Sequence, residues 1–147
     1  MTSETQFIDA TDQILGRLAS YVAKSALDGK ETVVLNVEKA VISGRKKMIV
    51  DETKLRLKTR TLGSQRKGPV HYRRPDTYVR RVIRGMLPWK KSHGKEAFKK
   101  VKVFMGVPEE FKDKQTLKVQ GAEASKLNCP YITLKELAKE IGGASSS

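Results

Sequence analysis

The chain has 147 residues, 38% of them hydrophobic and 31% charged, and its 30 Lys and Arg against 16 Asp and Glu leave a net charge of +14. That length suits one domain with a single core, burying about 70% of the surface its unfolded chain would expose, and no run approaches the ~20 apolar residues of a transmembrane helix. The start MTSETQFIDA lacks the basic and apolar stretches of a signal peptide, and the lone Cys129 excludes an intrachain disulfide or a thiolate cluster. A soluble, unexported protein of a reducing, cytoplasmic compartment is expected.

FIDATDQILGRLASYVAKSALDGK opens with a short apolar strand. Thr11 or Asp12 then offers an N-cap for a helix whose Ile14, Leu15, Leu18, Ala19, Val22, Ala23, Ala26 and Leu27 fill one arc. Gly16 in the first turn predicts close packing on a neighbouring backbone, and Gly29 marks the end. TVVLNV is nearly continuous in apolar residues, as a central strand buried on both faces would be. Strand, helix and strand in this order predict a parallel unit. AVISGRKKMIVDETKLRLKT continues as a brief strand or turn through Ser43 and Gly44 and then a helix.

Residues 60–75, RTLGSQRKGPVHYRRP, hold two glycines, two prolines and five Arg or Lys with almost no apolar periodicity, which predicts a basic loop. So few apolar residues cannot offset the entropy of ordering, so the loop is expected to become ordered only on a polyanion. Asp76 is the predicted cap of the next helix. There Tyr78, Val79, Val82, Ile83, Met86 and Leu87 occupy one half of the wheel, and Arg80, Arg81 and Arg84 cluster on the other. Pro88 stops it, residues 89–94 form a basic connection, and KEAFKKVKVFMG reads as a helix running into a strand. Beyond Gly106 and Pro108 the chain turns irregular until TLKELAKEIGG, where Thr133 and Glu136 form a capping box before a stripe of Leu134, Leu137, Ala138 and Ile141. One domain over residues 1–141 is expected, with residues 142–147 as a disordered tail.

Catalytic signatures are missing. DGKET lacks the earlier glycine of a phosphate-cradling loop, and no G-x-G-x-x-G occurs. His71 and His93, the only histidines, have no acidic or cysteine cluster to complete a metal set. Nothing beside Cys129 would lower its pKa, so a structural thiol is expected. Asp9 and Asp12, at a strand-to-helix junction, read as capping residues. No enzyme, cofactor, metal or small-molecule substrate is predicted.

The charge is concentrated. Residues 54–102 contain 17 Lys and Arg against Asp76 and Glu96, a local net of +15, while the rest of the chain nets −1. Such concentration is self-repulsive unless a polyanion neutralises it. A membrane surface would require Val79, Val82, Ile83 and Met86 to leave the core. No helix-turn-helix or zinc-finger spacing supports DNA. Arginine forks, mobile lysines, and His71, Tyr72 and Trp89 as candidates for stacking suit folded RNA, with Trp89 equally suited to a core anchor.

FIDATDQILGRLAS, VVLNVEKAVISGRK and VIRGMLPWKKSHGKEAFKKVKVFMGVP resemble, in order and spacing, the universal large-subunit ribosomal protein thirteen family over residues 7–108, with RGMLP at 84–88 the most specific piece. GPVHYRRP and MLPWKKSHGKEAF resemble its archaeal and eukaryotic branch. The resemblance implies a three-layer α/β/α fold around a four-stranded, mainly parallel sheet, a structural role on large-subunit rRNA, a part in early subunit assembly, neighbouring large-subunit ribosomal proteins as partners, and no catalysis. Carried over by position are the 44–47 turn, with Arg45, Lys46 and Lys47, and the 84–95 segment, with Arg84, Trp89, Lys90, Lys91, His93 and Lys95. Charge alone adds Arg60, Arg66, Lys67, His71, Tyr72, Arg73, Arg74, Arg80 and Arg81. The alternative is a non-ribosomal RNA-binding regulator or RNA-modification accessory factor using the same face.

Overall fold

The structure is a computed structural model that describes residues 5–143. Its strands are β1 (Thr5–Asp9), β2 (Glu31–Leu35), β3 (Val41–Ser43), β4 (Val101–Val103) and β5 (Tyr131–Thr133). Its α-helices are α1 (Leu15–Leu27), α2 (Lys46–Lys58), α3 (Pro75–Gly85), α4 (Ser92–Lys99) and α5 (Leu134–Ile141). The main sheet is parallel with order β1-β2-β4, from Thr5↔Glu31 to Asp9↔Leu35 and from Thr32↔Val101 to Val34↔Val103. As its apolar run predicts, β2 is the central strand, with Thr32, Val33, Val34 and Leu35 all buried.

Among the described residues the parallel sheet has three strands, not the four expected. At the free edge of β1, Leu117 forms a one-residue bridge, its amide donating to the Phe7 carbonyl (2.8 Å) and its carbonyl accepting from the Asp9 amide (3.0 Å). β3 pairs instead with β5, antiparallel, from Val41↔Thr133 to Ser43↔Tyr131, as a separate two-stranded sheet. Three-residue β5 carries too short an alternation to stand out in the sequence.

Alternation along the strands puts Ile8, Val34 and Val103 on one face, where Ile8 and Val34 enter the core with Leu18, Val22, Val79, Ile83 and Ala97 from α1, α3 and α4. Phe7 lies on the other face, and there Phe111 packs at 5.3 Å from Phe7 and 5.7 Å from Phe104. A short 3-10 turn at Glu109–Phe111, not an α-helix, therefore contributes to the cover of that face.

Several local expectations change. Helix α1 buries Leu15, Leu18, Ala19, Val22, Ala23 and Ala26 of the predicted arc and leaves Leu27 partly buried, but begins at Leu15 with Ile14 as N-cap and no capping side chain. Thr11 and Asp12 lie in the preceding turn, with Asp12 at φ 56°. Asp9 organises this turn, its Oδ1 accepting from the Thr11 amide (3.1 Å), the Thr11 hydroxyl (2.7 Å) and Asn36 Nδ2 (3.0 Å). Burial pushes its carboxyl up, but these hydrogen bonds outweigh it and hold the pKa below the ordinary value. A Cβ on Gly16 would meet nothing within 4 Å, so no close approach requires that glycine. Cys129 is exposed and packs into no core, contrary to its reading as a structural thiol.

At the C-terminal end the predicted cap is present, Thr133 Oγ1 accepting from the Glu136 amide at 3.3 Å, and the whole predicted stripe of α5 is buried. Gly142 closes α5 at φ 80°, and the Gly143 amide donates to the Ala138 carbonyl at 2.7 Å, the pattern of a Schellman stop. Residues 144–147 of the predicted tail lie outside the described residues.

Candidate nucleic-acid interface

Helix α3 separates core from surface. Pro75 occupies its first position, where a missing N–H costs nothing, so Arg74 is the N-cap and Asp76 falls inside the first turn. Asp76 is therefore not the cap that was predicted. Its carboxylate lies at the positive end of the helix dipole and pairs with Arg74 at 3.2 Å. Of the predicted apolar half, Val79, Ile83 and Leu87 are buried, and Tyr78 and Val82 are partly buried against the core. Met86, the C-cap residue, is exposed. With Val79 and Ile83 fully buried, α3 has no apolar face left to present to lipid.

The opposite face carries Arg80, Arg81 and Arg84, and each guanidinium lies over an aromatic ring from another part of the chain. Arg80 lies 4.8 Å from the centroid of Phe98 in α4, Arg81 5.7 Å from that of Tyr72, and Arg84 4.0 Å from that of Trp89. Trp89 in turn meets Phe98 edge to face at 5.3 Å and 89°. Cation–π attraction at such distances is worth about 0.5–1 kcal/mol at exposed sites. None of the three arginines forms an ion pair with a carboxylate among the described residues. Tyr72 and Trp89, predicted as platforms for bases, thus support protein cations in this structure. Trp89 is also an anchor, partly buried against Phe98.

The 60–74 loop contains one short 3-10 turn at Gln65–Lys67, and Arg60, Arg66, Lys67, Arg73 and Arg74 are all exposed. The loop is joined to the fold at its flanks. His71 Nε2 donates to the Thr59 carbonyl at 2.8 Å, which fixes a proton on that nitrogen because a carbonyl only accepts. Tyr72 lies under Arg81, and the backbone of Arg73 packs so closely on Gly143 that a Cβ there would collide with it. Between these flanks Leu62 and Val70 are solvent-exposed, at 92% and 71%.

The remaining predicted residues spread the positive surface outward. Arg45 is the N-cap of α2, Lys46 pairs with Glu140 of α5 at 3.2 Å, and Lys47 is exposed. Since α2 has 13 residues, this turn and Arg60 stand roughly 20 Å apart at 1.5 Å per residue. The predicted set is therefore a strip rather than a single cluster. Lys90, Lys91, His93 and Lys95 are exposed around the start of α4. That turn is tight: the Lys91 amide donates to the Pro88 carbonyl at 3.0 Å, and buried Gly94 sits against the same carbonyl, leaving no room for a Cβ.

Sequence reasoning missed Phe98. It appears there only as one apolar residue in a basic helix, and its single available signal is the aromatic density around the arginines of α3. Among the described residues no group of three or more His, Cys, Asp or Glu is arranged to hold a metal, and no helix is long and apolar enough to cross a membrane.

Comparison with known proteins places this arrangement among relatives. A family model described as Ribosomal protein L13 matches residues 3–110, a range that contains the whole basic segment. The chain is 43% identical over 137 residues to the large ribosomal subunit protein uL13 of Archaeoglobus fulgidus, covering 92% of this chain and 86% of that protein. To the protein of the same name from Methanopyrus kandleri it is 44% identical over 142 residues, covering 95% and 87%. The Sulfurisphaera tokodaii protein is 41% identical over 146 residues, covering 99% of each chain, so this similarity extends past the family model through the C-terminal part.

Proposed function

The chain belongs to the ribosomal protein L13 family, and on that premise we propose that it is a structural constituent of the large ribosomal subunit that binds large-subunit rRNA through the strip running from α3 and the 60–74 loop to the start of α4. As a ribosomal protein it is a structural component and not an enzyme. Neighbouring large-subunit proteins are its other partners, and its place is within the ribosome. The supporting observation is the division of α3, with Val79 and Ile83 fully buried in the core and three arginines, none paired with a carboxylate, on the opposite side. The core acts as a rigid platform. Arg60, Arg66, Lys67, Arg73, Arg74, Arg80, Arg81, Arg84, Lys90, Lys91 and Lys95 neutralise closely spaced phosphates and hold rRNA helices together during early assembly, with Arg45 to Lys47 as an outlying contact.

Binding through phosphates releases counterions. If about six phosphates are neutralised, log affinity for large-subunit rRNA falls against log salt with a slope on the order of −4 to −5. A filter-binding titration measures it, and a slope near zero would remove the electrostatic mechanism. Sedimentation of cell extract separates the ribosomal role from that of a free RNA-binding regulator or modification factor: migration in step with large subunits supports the first, absence from them the second.

The loop has its own expected result. Backbone amides of residues 61–70 exchange rapidly in the free protein and slowly in the assembled subunit, because few apolar contacts hold this stretch until phosphates do. Hydrogen exchange on both forms checks this, and strong protection in the free protein would make the loop a preformed element.

A further inference from the structure

Arg80 and Arg84 stand one helical turn apart on α3, a spacing at which like charges repel by a few tenths of a kcal/mol. Two aromatic rings bridge them. Arg80 lies over Phe98, Phe98 and Trp89 meet edge to face, and Trp89 lies under Arg84, so the four side chains form a continuous chain of contacts that ties α3, α4 and the connection between them together. A guanidinium held over a ring keeps its N–H donors, the groups that form bidentate bonds to phosphate, and among the described residues neither Arg80 nor Arg84 forms an ion pair with a carboxylate. A guanidinium already held on a ring also loses less side-chain freedom when it binds, which is the usual source of gain from preorganisation.

Four residues along a helix advance about 6 Å, a span that two neighbouring phosphates of one strand can occupy. Beside the pair, Thr77, Arg81 and Tyr72 continue the same open cleft, so a strand entering it meets a third guanidinium held on a third ring. The geometry points to Phe98 and Trp89 as positioning residues that set Arg80 and Arg84 as a preformed pair for two successive phosphates of a single rRNA strand. This rests on the rRNA-binding role above and adds a defined subsite to it.

Salt titrations of rRNA binding by the full-length Phe98→Leu, Phe98→Tyr and Trp89→Leu variants test the assignment. Loss of one ordered phosphate contact flattens the log–log slope by about 0.7–0.9 in each Leu variant, and loss of both by about 1.4–1.8 in the variant carrying both Leu substitutions, while Phe98→Tyr keeps the wild-type slope. Adding Arg80→Ala to Phe98→Leu then flattens it little further, because that guanidinium has already lost its ring. A purely structural role for Phe98 would lower the melting temperature and leave the slope of the folded protein unchanged, which overturns the inference. Should Phe98→Leu fail to fold, Trp89→Leu carries the same comparison from the other ring. Wild-type protein with no salt-dependent binding would remove the rRNA role and this subsite together, whereas a wild-type slope retained in both Leu variants removes the subsite alone.

Discussion

Ile83→Ala unfolds with about 2–5 kcal/mol less free energy than the wild type, while Arg80→Ala combined with Arg84→Ala loses no more than about 1–2 kcal/mol and loses rRNA affinity. The first result follows from complete burial of Ile83 among residues of α1 and the main sheet, where truncation removes both transfer energy and packing contacts. The second follows from the arginines' position outside that core. Their guanidiniums lie over Phe98 and Trp89, and losing these contacts costs the modest cation–π attraction while uncovering two rings. Urea unfolding and filter binding on the same preparations separate the two faces. Retained binding by the arginine variant, or a large stability loss with it, would mean that the outer half of α3 holds the fold rather than the RNA.

Gly94→Ala destabilises the protein by about 1–3 kcal/mol, although alanine is the better helix former by nearly 1 kcal/mol. Gly94 belongs to α4, but an added Cβ would overlap the Pro88 carbonyl oxygen and lie 2.6 Å from the carbonyl carbon. Both atoms are backbone, and the same oxygen accepts from the Lys91 amide, so neither neighbour can swing away. Overpacking therefore outweighs propensity. Gly85→Ala is the control: an added Cβ meets nothing within 4 Å at the end of α3, and the substitution is neutral or stabilising by up to about 1 kcal/mol. Thermal melts of the two variants decide the matter, and equal behaviour would mean that the 88–94 turn opens to admit a side chain. Because that turn orients Trp89 and the exposed Lys90 and Lys91, Gly94→Ala is expected to weaken rRNA binding as well.

The buried faces of α1, α3 and α5 were legible in the residues themselves, because a helix repeats its apolar positions every three or four residues and each of these runs long enough to show it. The central place of β2 was legible for a related reason: only a strand covered on both sides has an unbroken apolar run. The excess positive charge over residues 54–102, and the arginine half of α3, were equally plain. What the tertiary structure alone decided involves neighbours distant in sequence or elements too short to carry a period. Strand β5 has three residues and depends on β3 for its pairing. The main sheet has three strands where four were expected, and a bridge at Leu117 meets the edge of β1. With Pro75 as its first residue the helix starts two positions before a cap at Asp76 would place it, which changed Asp76 from cap to first-turn acid. Tyr72 and Trp89 read as platforms for bases because unpaired aromatics among cations suit RNA. Folding placed Arg81 and Arg84 over them, and brought Phe98 beneath Arg80, through contacts that no local pattern encodes.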